Sequence, residues 1–202
     1  MSVKNQKFFF NDINNLIIGV DEVGRGALCG PVVSCSVLLK KEIIFNELVY
    51  KIDDSKKLSE KKREILSIFI KKNSIYSFGF ASNEEIDQIN ILNATILSMK
   101  RALKKFNGFK NKIKIDGQKI FDYNDKTLFI KKGDSESVSI ASASILAKTF
   151  RDSLMCKYAK SYPYYNWVKN KGYGTKEHFK AIKKFGLTSL HRKSFLSKIV
   201  TQ

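Results

Sequence analysis

Cysteine is scarce in this 202-residue chain, and its spacing suggests no pairing. Cys29, Cys35 and Cys156 are odd in number and far apart, with no CxxC step. Neither a disulfide framework nor a zinc site is indicated, and the cytoplasm is the expected compartment. No apolar run approaches the ~20 residues that span a bilayer. The opening stretch, MSVKNQKFFFND, is too short and turns polar too soon for a secretory signal, so no membrane partner is expected. With two prolines and eleven glycines the chain has no Pro-, Gly- or Ser-rich linker. Acid is in short supply as well: 19 Asp and Glu stand against 37 Lys and Arg, a formal charge of +18. Such an excess is the footprint of a nucleic-acid binder. Only five of the basic residues are Arg, however, and Asn and Ile are also plentiful. That is equally the residue usage of an AT-rich genome, so charge alone leaves both readings open.

Hydrophobic residues make up 43% of the chain, enough for one sizeable core. LIIGVDE (16–22) is an apolar, β-rich run that ends in two acids. PVVSCSVLL (31–39) is a second, with Pro31 at its start, where a strand tolerates it. SIYSFGFAS (74–82) alternates aromatic and small residues and predicts a third, the three forming an antiparallel meander. SEKKREILSIFIKK (59–72) sets Ile65, Leu66, Phe69 and Ile70 at helical spacing behind Ser59 as N-cap. A longer helix is predicted over 83–106, with Asn83 able to cap it. Short strands follow at 111–117 and 126–130, then a small-residue helix from about Ser137. A loop dense in Tyr and Lys leads to one more amphipathic helix. This predicts one mixed α/β domain over 1–202, with helical decoration at its C-terminal end.

The chemistry lies at strand ends. Asp21 and Glu22 close the first predicted strand, Asp116 closes the fourth, and Asp134 sits in a Gly-Asp turn before the small-residue helix. Each acid taken singly reads as a turn residue, as Asp53 and Asp54 do. If the first and fourth strands are neighbours, however, all four converge. Clustered carboxylates repel and stay ionised only beside cations. Oxygen ligands suit Mg²⁺ or Mn²⁺, and two such ions can clamp the attacking and leaving oxygens of a phosphodiester. Gly24-Arg25-Gly26 follows at once. A dinucleotide loop would open directly into a helix; here Asp-Glu intervenes and Pro31 starts another strand, so that reading falls. What remains is a turn whose backbone can approach a ligand closely, with an arginine able to grip phosphate. A basic nucleic-acid-binding protein whose acids merely end strands stays open as an alternative.

GVDEVGRGALCGPVV, DDSKKLSEKKRE, IDQINILNATILSMKRAL, IDG, KKGDSESVSIASASILAKTFRD, YPYYNWVKNKGYGTKEHF and HRKSF occur in this order between about 16 and 196. Together they resemble ribonuclease HII. The resemblance implies an α/β, ribonuclease H-like fold: a five-stranded mixed sheet, antiparallel meander first and parallel strands after, flanked by helices, with a helical substrate-binding extension over about 160–202. It implies that Asp21, Glu22, Asp116 and Asp134 hold two divalent ions, Mn²⁺ or Mg²⁺, with no organic cofactor. It implies cleavage of RNA in RNA–DNA hybrids and a nick 5′ to single ribonucleotides in duplex DNA, by a monomer serving replication and repair. Gly24, Arg25 and Gly26 match the turn that reads the ribose 2′-hydroxyl, and Tyr173 the tyrosine that stacks on the adjacent sugar. Lys56, Lys57, Lys148 and Arg151 are candidates for phosphate contacts. The family usually has Pro where this chain has Ala27, a change expected to loosen the turn slightly. His178 and His191 lie outside the acid set and read as structural or surface residues, while Ser142 and Ser144 read as small residues that let a helix pack close to the sheet, with contact of one of them to substrate left open as an alternative.

Overall fold

The computed structural model describes residues 3–200. Its framework is one sheet in the order β3-β2-β1-β4-β5. β1 (Ile18–Val23) pairs antiparallel with β2 (Val32–Leu39), setting Asp21 opposite Cys35 and Glu22 opposite Ser34. β2 pairs antiparallel with β3 (Ser74–Ala81). On the other side of β1, β4 (Ile113–Asp116) and then β5 (Thr127–Ile130) run parallel to it. The three parallel strands therefore end at the same edge of the sheet, and the acids of β1 and β4 stand there together.

All eight residues of β2 are buried because both faces of the sheet are covered. Cys35, Val37 and Leu39 face α2 (Glu60–Lys72) and α4 (Val138–Ser161), while Ile18, Val20, Leu38 and Ile115 pack on the other side against Met99 and Leu103 of α3 (Asn83–Leu103). Two buried serines of β2 face α3 and are satisfied there: Ser36 Oγ donates to the Ala102 carbonyl at 2.6 Å, and Ser34 Oγ lies 2.6 Å from Ser98 Oγ. The small residues of α4 have a steric reason. A Cβ at Gly19 would sit 2.1 Å from the carbonyl carbon of Ser139, so glycine alone lets α4 cross β1 this closely.

Local signals decide the helix ends. Ser59 caps α2, its Oγ accepting from Lys62 N at 3.4 Å. The cap of α3 is Ser82 rather than Asn83: Ser82 Oγ accepts from Glu85 N at 3.1 Å, and the Glu85 carboxylate accepts from Ser82 N at 2.9 Å. That reciprocal box satisfies two otherwise free donors, whereas Asn83 reaches across to the Ser189 carbonyl. α3 kinks at Asn90, whose φ is 63°, and its Oδ1 accepts from Asn93 N to restart the helix. Three helices went unread in the sequence: α1 (Val3–Asn14), the short α5 (Trp167–Asn170) and α7 (Lys193–Val200). α1 is tied down through buried Asp12, which accepts from the Ser137 hydroxyl and pairs with Lys114 Nζ at 2.5 Å. Between α5 and α7 lies α6 (Lys176–Phe185), capped by Thr175. Among the described residues no helix is long and apolar enough to cross a membrane.

Candidate active site

The four acids predicted from strand ends do meet. Asp21 is buried at the end of β1, where Glu22 N donates to its Oδ1 at 2.7 Å and Ser144 of α4 hydrogen-bonds the carboxylate. Ser144 is oriented in turn by Ser55, their hydroxyl oxygens 3.0 Å apart. So Ser144 does more than let the helix pack closely. Burial, reinforced by Glu22 and Asp116, holds the Asp21 carboxyl well above the usual carboxylate range. Burial also raises Glu22, opposed by Arg25, whose Nη1 lies 3.4 Å from Oε1. Asp116 Oδ1 accepts from Gly133 N at 2.7 Å, and this bond fixes the turn that presents Asp134. Asp134 is raised by burial, by Asp54 and by Asp116. Asp54 is thus a fifth acid at the site. It also performs the turn role read from the sequence, its Oδ1 accepting from Lys56 N at 2.9 Å.

Among the described residues, the cations that act on the raised carboxyls of Glu22 and Asp134 are the half-exposed Arg25 and the exposed Lys56. Two surface cations do not neutralise four clustered carboxylates. The donor set is all oxygen and electron-rich, which is the chemistry that hard divalent cations fit.

The turn after β1 is built around two buried arginines. Gly24 has φ +93°, and a Cβ there would lie 2.2 Å from Arg151 Nε. Arg192 donates to the carbonyls of Gly24 at 2.7 Å, Arg25 at 2.8 Å and Gly30 at 2.8 Å. Arg151 donates to the carbonyls of Pro31, Cys29 and Lys171. The phosphate-contact expectation for Arg151 is therefore corrected. Its guanidinium is fully buried and committed to main-chain oxygens, so it braces the turn. Arg192 was missed, and only its place in the HRKSF stretch could have flagged it. Burial lowers it to about 10, which still leaves a cation at neutral pH. The turn is not loosened by Ala27: its N–H, which proline would lack, donates to the Gly24 carbonyl at 3.3 Å. Gly26 differs from its neighbours, since no protein atom lies within 4 Å of where its Cβ would be.

Tyr173 is brought beside this turn by a bridge to Ala27. Its ring lies 5.3 Å from the Arg151 guanidinium and 5.9 Å from Lys148 Nζ. Lys148 is half-buried and paired with Asp152 at 2.8 Å, while exposed Lys57 pairs with Asp53 at 3.4 Å. Of the four candidate phosphate contacts, Lys56 alone is an exposed cation set directly against an acid of the cluster.

Below Tyr173 lies a buried polar plug. His178 Nδ1 bonds the Tyr173 carbonyl at 2.9 Å, while His178 Nε2 accepts from Trp167 Nε1 at 3.0 Å and lies 3.2 Å from His191 Nε2. Thr188 N donates to His191 Nδ1 at 2.9 Å, which puts the His191 proton on Nε2, facing His178. Cys29 joins the pair, one ligand-type atom from each lying within 4.8 Å of the others. Yet burial pushes the Cys29 thiol up to about 12, and each imidazole nitrogen is already bonded. The group is a neutral hydrogen-bonded network.

Burial, with His178 alongside, lowers His191 to about 4, and burial also lowers His178. The unfolded chain takes up these protons near pH 6.5. Their contribution to stability is thus complete above pH 6.5 and is lost as pH falls towards about 4. A His191→Gln variant should show a flatter decline of Tm between pH 7 and 5 than the parent, by several degrees over that range. Parallel melting profiles would show that this histidine does not carry the acid sensitivity.

The chain is similar to known proteins in sequence and in fold. Residues 18–198 match the family model described as Ribonuclease HII. The chain is 50% identical over 196 residues to a ribonuclease HII of Caldanaerobacter subterraneus subsp. tengcongensis, covering 96% of this chain and 80% of that protein. It is 52% identical over 182 residues to a ribonuclease HII of Borrelia duttonii, covering 89% and 98% respectively. Among solved structures, the fold is similar to that in the PCNA:RNase HII complex from Archaeoglobus fulgidus, with a TM-score of 0.77 at 20% identity over 90% of this chain and 94% of that one. It is also similar to Bst-RNase HIII in complex with Mn²⁺, with a TM-score of 0.65 at 16% identity over 92% and 66%.

Proposed function

The chain belongs to the ribonuclease HII family and is an endoribonuclease of the ribonuclease H type; from that premise we propose that it cuts the RNA strand of RNA–DNA hybrids and also nicks duplex DNA on the 5′ side of a single embedded ribonucleotide. The observation that carries the finer reading is Gly26. Its backbone is open to a ligand, sits in a turn clamped by Arg192, and stands four residues past Glu22 of the acid cluster. At one nucleotide the 2′-hydroxyl is the group that distinguishes RNA from DNA, and a rigid, sterically open main chain can approach it closely.

Asp21, Glu22, Asp116 and Asp134 would hold two divalent cations, Mg²⁺ or Mn²⁺, which supply Lewis-acid activation of water and charge stabilisation at the leaving oxygen. The chain's own groups do the rest. Ser144 and Glu22 N orient the Asp21 carboxylate, and Gly133 N orients Asp116. Arg25, half-exposed beside Glu22, is free to turn to a phosphate. Tyr173 offers a ring to the neighbouring sugar. A water oxygen bonds to phosphorus, the P–O3′ bond breaks, and the leaving oxygen takes up a proton, giving 3′-hydroxyl and 5′-phosphate ends. The segment after residue 160, which supplies Tyr173 and Arg192, serves as the substrate-binding extension. We place the enzyme in the cytoplasm as a monomer acting in ribonucleotide removal and hybrid degradation.

A duplex with one embedded ribonucleotide, incubated with Mn²⁺ or Mg²⁺, should be nicked at that site, and EDTA should abolish the nick. Binding without a metal-dependent nick would overturn the proposal in favour of a non-catalytic nucleic-acid binder. Gly26→Ala adds a methyl group that meets no protein atom. It should leave Tm unchanged while lowering nicking at single ribonucleotides by about 10²-fold, the scale of a small misplacement at a reacting centre. Unchanged nicking would remove the turn from substrate recognition.

A further inference from the structure

The two residues before Tyr173 both have left-handed backbones, Lys171 with φ 49° and Gly172 with φ 84°. Glycine enters that region freely, whereas a lysine is strained there. Lys171 closes α5: its N–H donates to the Trp167 carbonyl at 3.0 Å, and its own carbonyl accepts from Arg151 Nη1 at 2.8 Å. Glycine or asparagine would supply the same main-chain groups with less strain. The turn by itself therefore gives no reason for a lysine.

The reason lies in the side chain. Lysine is almost never buried unless it is paired, and the Lys171 side chain is only 13% exposed. Its Nζ donates to Cys156 Sγ at 3.1 Å and to Glu60 Oε1 at 3.3 Å. Burial works against the ammonium, but Cys156 and Glu60 outweigh it and hold Lys171 above the ordinary lysine value. Glu60 is the first residue of α2 and Cys156 stands on α4, and both line a cleft of about 300 Å³ between these helices. One ammonium thus ties the segment leading into Tyr173 to two helices at once. The α2 end of this tie follows closely on the loop that brings Asp54 and Ser55 to the acid cluster. Tyr173 comes two residues later, its N–H donating to the Asn170 carbonyl at 2.9 Å, so a shift at Lys171 reaches its ring through a short, tightly bonded stretch of chain.

We propose that Lys171 is a positioning residue, whose tether to Cys156 and Glu60 sets the Tyr173 ring where the sugar beside a single ribonucleotide meets it. The inference rests on the nuclease reading of the acids and on the substrate role given to Tyr173. A long hybrid offers many phosphates to the acids, so a displaced ring is met by a change of register. A single ribonucleotide leaves one phosphate and one register, and there the placement of the ring decides the rate.

The test measures kcat and KM of the full chain in Mn²⁺ on two labelled substrates, a duplex with one ribonucleotide and a continuous RNA–DNA hybrid. Lys171→Met keeps a long side chain and removes the ammonium. It should lower kcat/KM about tenfold on the single ribonucleotide and less than about twofold on the hybrid, below the ~10²-fold of a 1 Å displacement. Cys156→Ala, which removes one end of the tether, should show the same selective loss in smaller measure. The decisive arm is a cycle with Tyr173→Ala. In that background Lys171→Met should cost nothing further, because two residues that act through one ring are not additive. A full additional loss, or equal losses on both substrates, would overturn the proposal and leave Lys171 a purely structural lysine. Should Lys171→Met melt too low to assay, Cys156→Ala takes its place in the cycle, and an unselective or fully additive loss there overturns the proposal in the same way. The readings fail separately. A parent that nicks, with Lys171→Met unchanged beside it, sinks only the tether, whereas a parent with no metal-dependent nick sinks the nuclease proposal beneath it.

Discussion

Asp21→Asn should lower nicking at a single ribonucleotide by at least ~10³-fold and, in the absence of metal, raise Tm. The first effect follows from the place of Asp21 in the acid cluster: a neutral amide is a poor ligand for a hard cation, and removing one group that stabilises developing charge costs losses of that order. The second separates this site from an ordinary turn. Asp21 is buried against Glu22 and Asp116, and its charged form is disfavoured in the folded chain. Asparagine retains the acceptor used by Glu22 N, removes the repulsion and buries no charge. The native residue thus lowers stability in the service of binding, the trade expected of functional groups. Thermal melts in EDTA and nicking assays in Mn²⁺ test both halves. A variant that is less stable and fully active would show the carboxylate to be structural.

Arg192→Lys should destabilise the protein by about 3 kcal/mol and lower single-ribonucleotide nicking by about 10²-fold. The guanidinium is fully buried and its fork serves the carbonyls of Gly24, Arg25 and Gly30 at once. A lysine ammonium lacks that planar reach, so some carbonyls lose a charge-assisted partner without regaining water. Arg101 provides the contrast. It makes a fork with Glu85 at 2.7 and 2.9 Å, but on the surface. Arg101→Lys should cost no more than about 1 kcal/mol, because exposed ion pairs contribute little. Urea denaturation of the two variants side by side measures the difference. Equal losses would mean that burial of Arg192 is not what clamps the turn.

The acid cluster was legible in the sequence because each of Asp21, Glu22 and Asp116 closes an apolar run, and strand ends in one sheet must come together at its edges. Asp134 was legible from its Gly-Asp turn ahead of a helix cap. Arg151 was misplaced because its motif neighbours mix polar and apolar residues, and no local pattern distinguishes a solvated arginine from one turned inward onto carbonyls. Asp54 was read as a turn acid, which it is; that the turn also faces Asp134 depends on contacts eighty residues apart in the chain.

By itself the sequence determined the strands, the main helices and the identity of the clustered acids, since those follow from residue periodicity and from the chemistry of side chains at the ends of runs. Only the tertiary structure decided what holds the turn that faces them. The two buried arginines, the Ser55–Ser144 pair and the His178–His191 plug act through contacts between segments 11 to 168 residues apart. The reason is physical. Burial and partner choice set the role of a polar side chain, and both are properties of the packed fold rather than of any short stretch of chain.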